Sequence, residues 1–209
     1  MLTDFLKVCK DSGIPIRGVL HVGAHLAEEL GHYLAYNIPN IVFCEANPEL
    51  MPRLHTICDP HEIKVCNVAF TDHNGTMDFH ITDNDSMSSS LLPLKVHLQK
   101  HPHVRHKKTI KVQTAMGDEY LEKNGIDFAS HNLLVMDIQG AETRAISGLQ
   151  RYLNHCDFIY TEVNFEEMYE GCGLIEELES KLTPYGFSKV LQIDTGYGWG
   201  DALYIKVRK

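Results

Sequence analysis

Short apolar runs alternate with helical patterns along this chain, and that alternation limits its folds more than any other feature. Gly18–Val22, Ile41–Cys44, Ile63–Phe70, Leu133–Met136 and Phe158–Thr161 read as strands. Between them, residues 25–36 set Leu26, Leu30, Tyr33 and Leu34 on one helical face, and Asn47-Pro48-Glu49 reads as the start of a helix striped by Leu50, Leu54 and Ile57. Later helices are expected over 88–100 and 118–123, around Ala145, Leu149 and Leu153, and over 174–182, with extended pieces at 76–81 and 110–114. Strands separated by helices imply βαβ units, hence a parallel sheet with helices on both faces. The last two runs, Phe187–Ile193 and Ala202–Val207, are separated by Asp194-Thr-Gly-Tyr-Gly-Trp-Gly200 and no helix. A parallel crossover needs a longer connection, so these two pair as an antiparallel hairpin.

With 209 residues and 44% hydrophobic content, the chain suits a single α/β domain spanning 1–209 with a substantial core. No apolar run approaches the roughly 20 residues of a membrane span. The start, MLTDFLKVCKDSG, lacks the basic and apolar regions of a signal peptide, so cytoplasmic residence is expected. Six cysteines without a CxxC pair read as buried free thiols. The net charge of −9 argues against a general nucleic-acid binder, which needs a cationic surface. One segment runs the other way: Lys95–Lys111 holds six Lys or Arg, four His and no acid. It reads as a solvated loop with a helix end, or as a surface for an anionic or polyhydroxylated substrate.

Ligands of open α/β sheets sit beyond the carboxyl ends of the strands, where strand order reverses. The residues just after each strand are therefore the candidates. His21-Val-Gly23-Ala24-His25 follows the first strand, and its glycine permits a tight turn and close backbone approach to a ligand. Glu45 and Ala46 follow the second, with Glu45 22 positions beyond Gly23, the spacing of an acid that accepts from two ribose hydroxyls. Asp137-Ile-Gln139-Gly140 and Glu162 follow two central strands, so two carboxylates are expected to converge on one site.

Taken in order, HVGAH, FCEANP, NVAF, NGTMDFHITDND, SMSSSLL, MDIQGAE and TEV resemble the FkbM family of S-adenosylmethionine-dependent methyltransferases over about residues 17–193. The resemblance implies a Rossmann-like class I fold, a seven-stranded mostly parallel sheet in the order 3-2-1-4-5-7-6. It also implies O-methylation of a hydroxyl on a sugar, glycan or sugar-containing small molecule, with S-adenosylhomocysteine as product. Carried onto this chain, it assigns Gly23 and Ala24 to the methionine and ribose side, Glu45 to the ribose, and Asn67 with Val68 to the adenine edge. Ser88, Ser89 and Ser90 would border the active site, and Asp137 would lie nearest the reacting methyl. Two positions depart from the pattern: many members carry an acid where His21 stands and a second glycine where Ala27 stands. A histidine replaces that acid's contact with the methionine amino group only when neutral.

Asp137 is the first candidate for the base that takes the acceptor's proton, Glu162 the second and His21 the third. A divalent metal held by Asp137 and Glu162 is a less favoured route. Gln139, Glu162, the three serines and Trp199, whose ring suits stacking on a sugar, are the acceptor-side candidates. Three other readings compete. A dinucleotide oxidoreductase would want G-x-G-x-x-G, whereas the chain reads G-A-H-L-A-E from Gly23. An HxxxH metal pair at His21 and His25 would need a helix where a strand ends. A binding domain that keeps a catalytically inactive methyltransferase fold is the non-enzymatic reading. No feature of the sequence points to a particular oligomeric state.

Overall fold

A computed structural model describes residues 4–207. The chain runs through α1 (Phe5–Asp11), β1 (Val19–Val22), α2 (Leu30–Ala35), β2 (Ile41–Glu45), α3 (Met51–Cys58), β3 (Lys64–Asn67), β4 (Ala69–Thr71), β5 (Gly75–Thr82) and α4 (His97–Lys100). It continues through β6 (His106–Met116), α5 (Gly117–Lys123), β7 (Leu133–Met136), α6 (Glu142–Ser147), β8 (Phe158–Asn164), α7 (Ile175–Leu182), β9 (Phe187–Asp194) and β10 (Trp199–Lys206). Seven strands form one sheet in the order β3-β2-β1-β7-β8-β10-β9, the order that the resemblance implies. Its first five strands are parallel, and β10 runs antiparallel to both β8 and β9.

Every residue of β1, β2 and β7 is buried, because helices cover both faces of the sheet. Alternate residues feed two cores. Leu20, Val22, Val42, Leu134 and Met136 pack with α5, α6 and α7, whereas Val19, Ile41, Phe43, Leu133 and Val135 pack with α1, α2 and α3. The helix α1, which sequence periodicity does not bring out, stacks Phe5 on Tyr160 with ring centroids 4.0 Å apart. All six cysteines are buried and free, as their spacing suggests. Among the described residues no helix is long and apolar enough to cross a membrane.

Four elements differ from the sequence reading. The run 63–70 is two strands: the chain turns at Val68, whose N–H donates to Glu45 O, and β4 leaves for a second sheet of order β4-β6-β5. The helix expected over 25–36 begins only at Leu30, since His25 and Ala27 sit at φ +46° and +57°, outside helical geometry. The helix expected over 88–100 shrinks to α4. Ser90 exchanges backbone hydrogen bonds with His80 on β5, and Pro93 lacks the N–H a helix would need. The helix after Asp137 ends at Ser147 because Gly148 lies against Thr71 O, so Leu149 and Leu153 are buried beyond it.

Gly23 is where β1 meets the end of β7. At φ +86°, a Cβ there would stand 1.9 Å from Asp137 O. Gly23→Ala is therefore expected to destabilise the protein by about 3 kcal/mol or more, combining a backbone clash with a left-handed conformation. Gly31→Ala, in α2 with nothing within 4 Å, should instead stabilise by about 0.5–1 kcal/mol through helix propensity. Paired denaturant melts of the two variants check both signs.

Candidate active site

The carboxyl ends of β1, β2 and β7 open onto a cavity of about 210 Å³. Strand order reverses between β1 and β7, the switch point where open α/β sheets bind ligands. His21, Gly23, Ala24, His25, Glu45, Ala46, Val68 and Asp137 all line it. Asn67, expected beside them, does not: its Nδ2 donates to Glu45 O at 2.8 Å and Ala46 O at 3.2 Å, shaping the loop after β2. The lining contains Glu28, Glu29, Glu45 and Asp137, and no Lys or Arg.

Glu45 joins the loops that follow β1 and β2. Its Oε2 accepts from His25 N at 2.8 Å and its Oε1 from Asn47 N at 2.7 Å, which leaves each oxygen a further lone pair for a ligand hydroxyl. Burial raises its pKa against those donors. The His25 ring meets Glu28 Oε1 at 2.6 Å and Asp85 O at 2.8 Å. Its hydrogen bond to Glu28 lifts its pKa to about 9, so an imidazolium ties this loop to residues 85 and 86 at the cavity mouth. His21 behaves oppositely. It is buried against the Tyr33 hydroxyl at 3.0 Å, and desolvation pushes its pKa to about 3, so the ring is neutral. The two histidines thus face different partners and do not act as a pair.

Three buried carboxyl groups, Glu142, Glu162 and Asp201, cluster with the half-buried Asp137 of the cavity wall. Gln139, at φ +56°, connects two of them, its Nε2 donating to Asp137 Oδ1 at 2.6 Å and to Glu162 Oε2 at 2.8 Å. The Tyr169 hydroxyl donates to Gln139 Oε1. Glu142 Oε1 accepts from Ile138 N at 3.0 Å and Gly140 N at 3.3 Å, fastening the loop that carries Asp137. Tyr160 donates to Asp201 at 2.5 Å. Burial raises Asp137 to about 6 against the Gln139 hydrogen bond, and Glu142 to about 7. Glu162 is driven well above the usual carboxylate range by burial and by the charges of Asp137, Glu142 and Asp201. At neutral pH the cluster therefore retains a proton, held on Glu162 while Asp137 is largely ionised.

A second cavity, of about 290 Å³, adjoins the first, and Asp137 and Gln139 line both. Glu162, Asn164, Trp199 and Asp201 form one side of it, and His97, His101 and His103 contribute from the basic segment. Neither side-chain atom of Asn164 meets a hydrogen-bond partner among the described residues, nor does His97 Nδ1. Burying an amide without partners costs about 1–3 kcal/mol, a cost that a ligand would relieve. Four of the segment's five lysines turn elsewhere, Lys95 to Glu167, Lys100 to Glu166, Lys108 to Glu49 and Lys111 to Asp78. The three serines separate. Ser88 lines the second cavity and Ser89 the first, whereas the Ser90 hydroxyl donates to Gln139 O at 2.7 Å and accepts from Leu92 N, inside the structure.

Sequence reasoning does not single out Glu142, Asp201, Tyr169 or Asn164. The acid two places after Gly140 and the acid after the Gly-Trp-Gly turn are the only local signals for the first two. The others depend on which strands become neighbours.

Comparison with known proteins follows this geometry. The Methyltransferase FkbM domain matches residues 21–189. The 2-O-methyltransferase NoeI of Sinorhizobium fredii is 31% identical over 161 residues, 73% of this chain. The match spans 65% of that protein's length. Among solved structures, Streptococcus pneumoniae Sp1610, a putative tRNA (m1A22) methyltransferase, superposes with a TM-score of 0.52 at 9% identity, covering 100% of this chain and 73% of its own. A putative RNA methyltransferase, PH1948 from Pyrococcus horikoshii, gives 0.50 at 10% identity, over 98% and 82% of the two chains. At such identities these structures speak for the fold alone, that of the class I methyltransferases. With most of its length matched by the family's domain, the chain belongs to the FkbM methyltransferase family.

Proposed function

We propose that the protein transfers a methyl group from S-adenosylmethionine to a hydroxyl of a sugar, glycan or sugar-containing small molecule. The observation that carries this reading is the shared wall: Asp137 lines both cavities, so a donor in one and an acceptor in the other would meet at a carboxyl group that titrates near pH 6. The acidic lining of the first cavity suits a ligand with a sulfonium and an ammonium, and offers no Lys or Arg to a dinucleotide's pyrophosphate. Glu45 would hold the ribose hydroxyls and neutral His21 the methionine end. The name 2-O-methyltransferase borne by NoeI supports oxygen as the acceptor atom.

The cofactor supplies an electrophilic methyl carbon. The chain's own task is then alignment and removal of one proton. Asp137 would accept the acceptor's hydroxyl proton, and Gln139 fixes the orientation of its carboxylate. Glu162, kept protonated by its neighbours, is unsuited to act as base and would bind acceptor hydroxyls instead. His21 stays on the cofactor side, since it lines the first cavity and not the second.

Four measurements test the scheme. Asp137→Asn should lower kcat by about two to four orders of magnitude while binding of S-adenosylhomocysteine by calorimetry is unchanged. Activity should survive EDTA, and loss on chelation restored by Mg²⁺ would make Asp137 and Glu162 metal ligands. The base must be ionised, so kcat/KM should rise with pH through about 6 and be lost below it. Glu45→Ala should weaken cofactor binding by about 1–3 kcal/mol. NAD binding without S-adenosylhomocysteine binding would end the methyltransferase scheme, and cofactor binding without transfer to any acceptor would favour the inactive domain. Methylation confined to RNA or protein would overturn the acceptor half alone.

A further inference from the structure

The antiparallel register of β8 and β10 sets Asn164 opposite Trp199 and Glu162 opposite Asp201. Directly opposed residues share a face, and residues two apart along a strand share it too. Glu162, Asn164, Trp199 and Asp201 therefore form a two-by-two patch on one face of the sheet, and all four line the second cavity. Trp199 is half-buried beside Tyr169 and Met168 and offers an apolar ring. Asn164 is 1% exposed and has no partner among the described residues for either side-chain atom.

An amide of this kind presents a carbonyl acceptor and an N–H₂ donor side by side, which matches two adjacent hydroxyls. The cavity's charge limits the ligand further. Asp137, Glu162 and Asp201 line it with no Lys or Arg, and burial keeps His97 neutral by lowering its pKa to about 4. Four lysines of the 95–111 segment are held by Glu167, Glu166, Glu49 and Asp78, and neither Arg105 nor Lys107 lines the cavity. Any phosphate or carboxylate entering the cavity would meet this excess of acidic side chains.

We propose that the second cavity is an acceptor subsite selective for an uncharged polyol, with Asn164 as the residue that reads a pair of adjacent hydroxyls beside Trp199. The inference rests on the methyltransferase reading, because the polyol would lie against the Asp137 that closes the donor cavity. Of the two ligand classes that the basic segment suits by composition, anionic and polyhydroxylated, it selects the second: the segment contributes imidazoles to the cavity, and four of its five lysines are held by surrounding acids.

The test uses the full chain with S-adenosylhomocysteine present. Methyl pyranosides of gluco, galacto and manno configuration, their 6-phosphates and their uronic acids are titrated by saturation-transfer NMR. Neutral glycosides should bind, and the phosphates and uronates should bind at least tenfold more weakly. Asn164→Leu should weaken the neutral glycosides at least tenfold. It should leave Tm unchanged or raised, since the amide it removes makes no bond in the free protein, whereas a structural amide would lower Tm on removal. Equal or tighter binding of the anionic sugars overturns the proposal, as does unchanged binding to Asn164→Leu or no binding by any glycoside. Failure of S-adenosylhomocysteine itself to bind in calorimetry would instead condemn the methyltransferase reading.

Discussion

The Gln139 carboxamide spans two buried carboxyl groups, and the arrangement of the site follows from what that single amide has to accomplish. Asp137 follows β7 and Glu162 lies beside it in β8, so two neighbouring parallel strands bring the carboxyl groups together. Charges so placed repel, and a neutral donor with two N–H groups serves both. To reach them Gln139 adopts a left-handed backbone, and Glu142 holds the same loop through Ile138 N and Gly140 N. Tyr169 completes the amide by donating to its carbonyl. The strain in the loop and the burial of the acids are thus parts of one device. Its effect is to spread the carboxyl pKa values, leaving one group ionised and another protonated at the same pH.

The large-scale architecture was legible in the sequence because connection length constrains strand direction. Eight residues between Phe187–Ile193 and Ala202–Val207 exclude a parallel crossover, and helices between the earlier strands require one. The positions of Gly23, Glu45 and Asp137 followed, since each sits where a strand ends. What escaped was local geometry that hydrophobic periodicity does not encode. Leu26 and Leu34 continue the apolar stripe of α2, yet His25 and Ala27 hold left-handed conformations, because the loop must bend to offer its amides to Glu45 and Cys44. The run from Ile63 to Phe70 is interrupted by Lys64 and Asn67 but holds no glycine or proline, so no breaker residue marks the turn at Val68 where one sheet ends and the other begins. Asn164 and Asp201 acquire their meaning only from the register of β8 with β10, a relation between residues far apart in the chain. The basic segment is legible only in part for a related reason: composition counts charges without saying which acid each one meets.

The turn at Val68 divides the chain between two sheets. The ends of β1 and β2 line the first cavity, and the small second sheet of β4 to β6 adds Ala69, Phe70 and Phe79 to the same lining. The stretch between β5 and β6 brings Ser86, Met87, Ser89 and Leu91 to the first cavity and His97, His101 and His103 to the second. The stretch between β5 and β6 is thus common to both cavities, fastened to the loop after β1 through His25 and Asp85 O and to the loop after β7 through Ser90 and Gln139 O. A change of length there shifts a wall of each cavity at once, so the two spaces are bound to vary together.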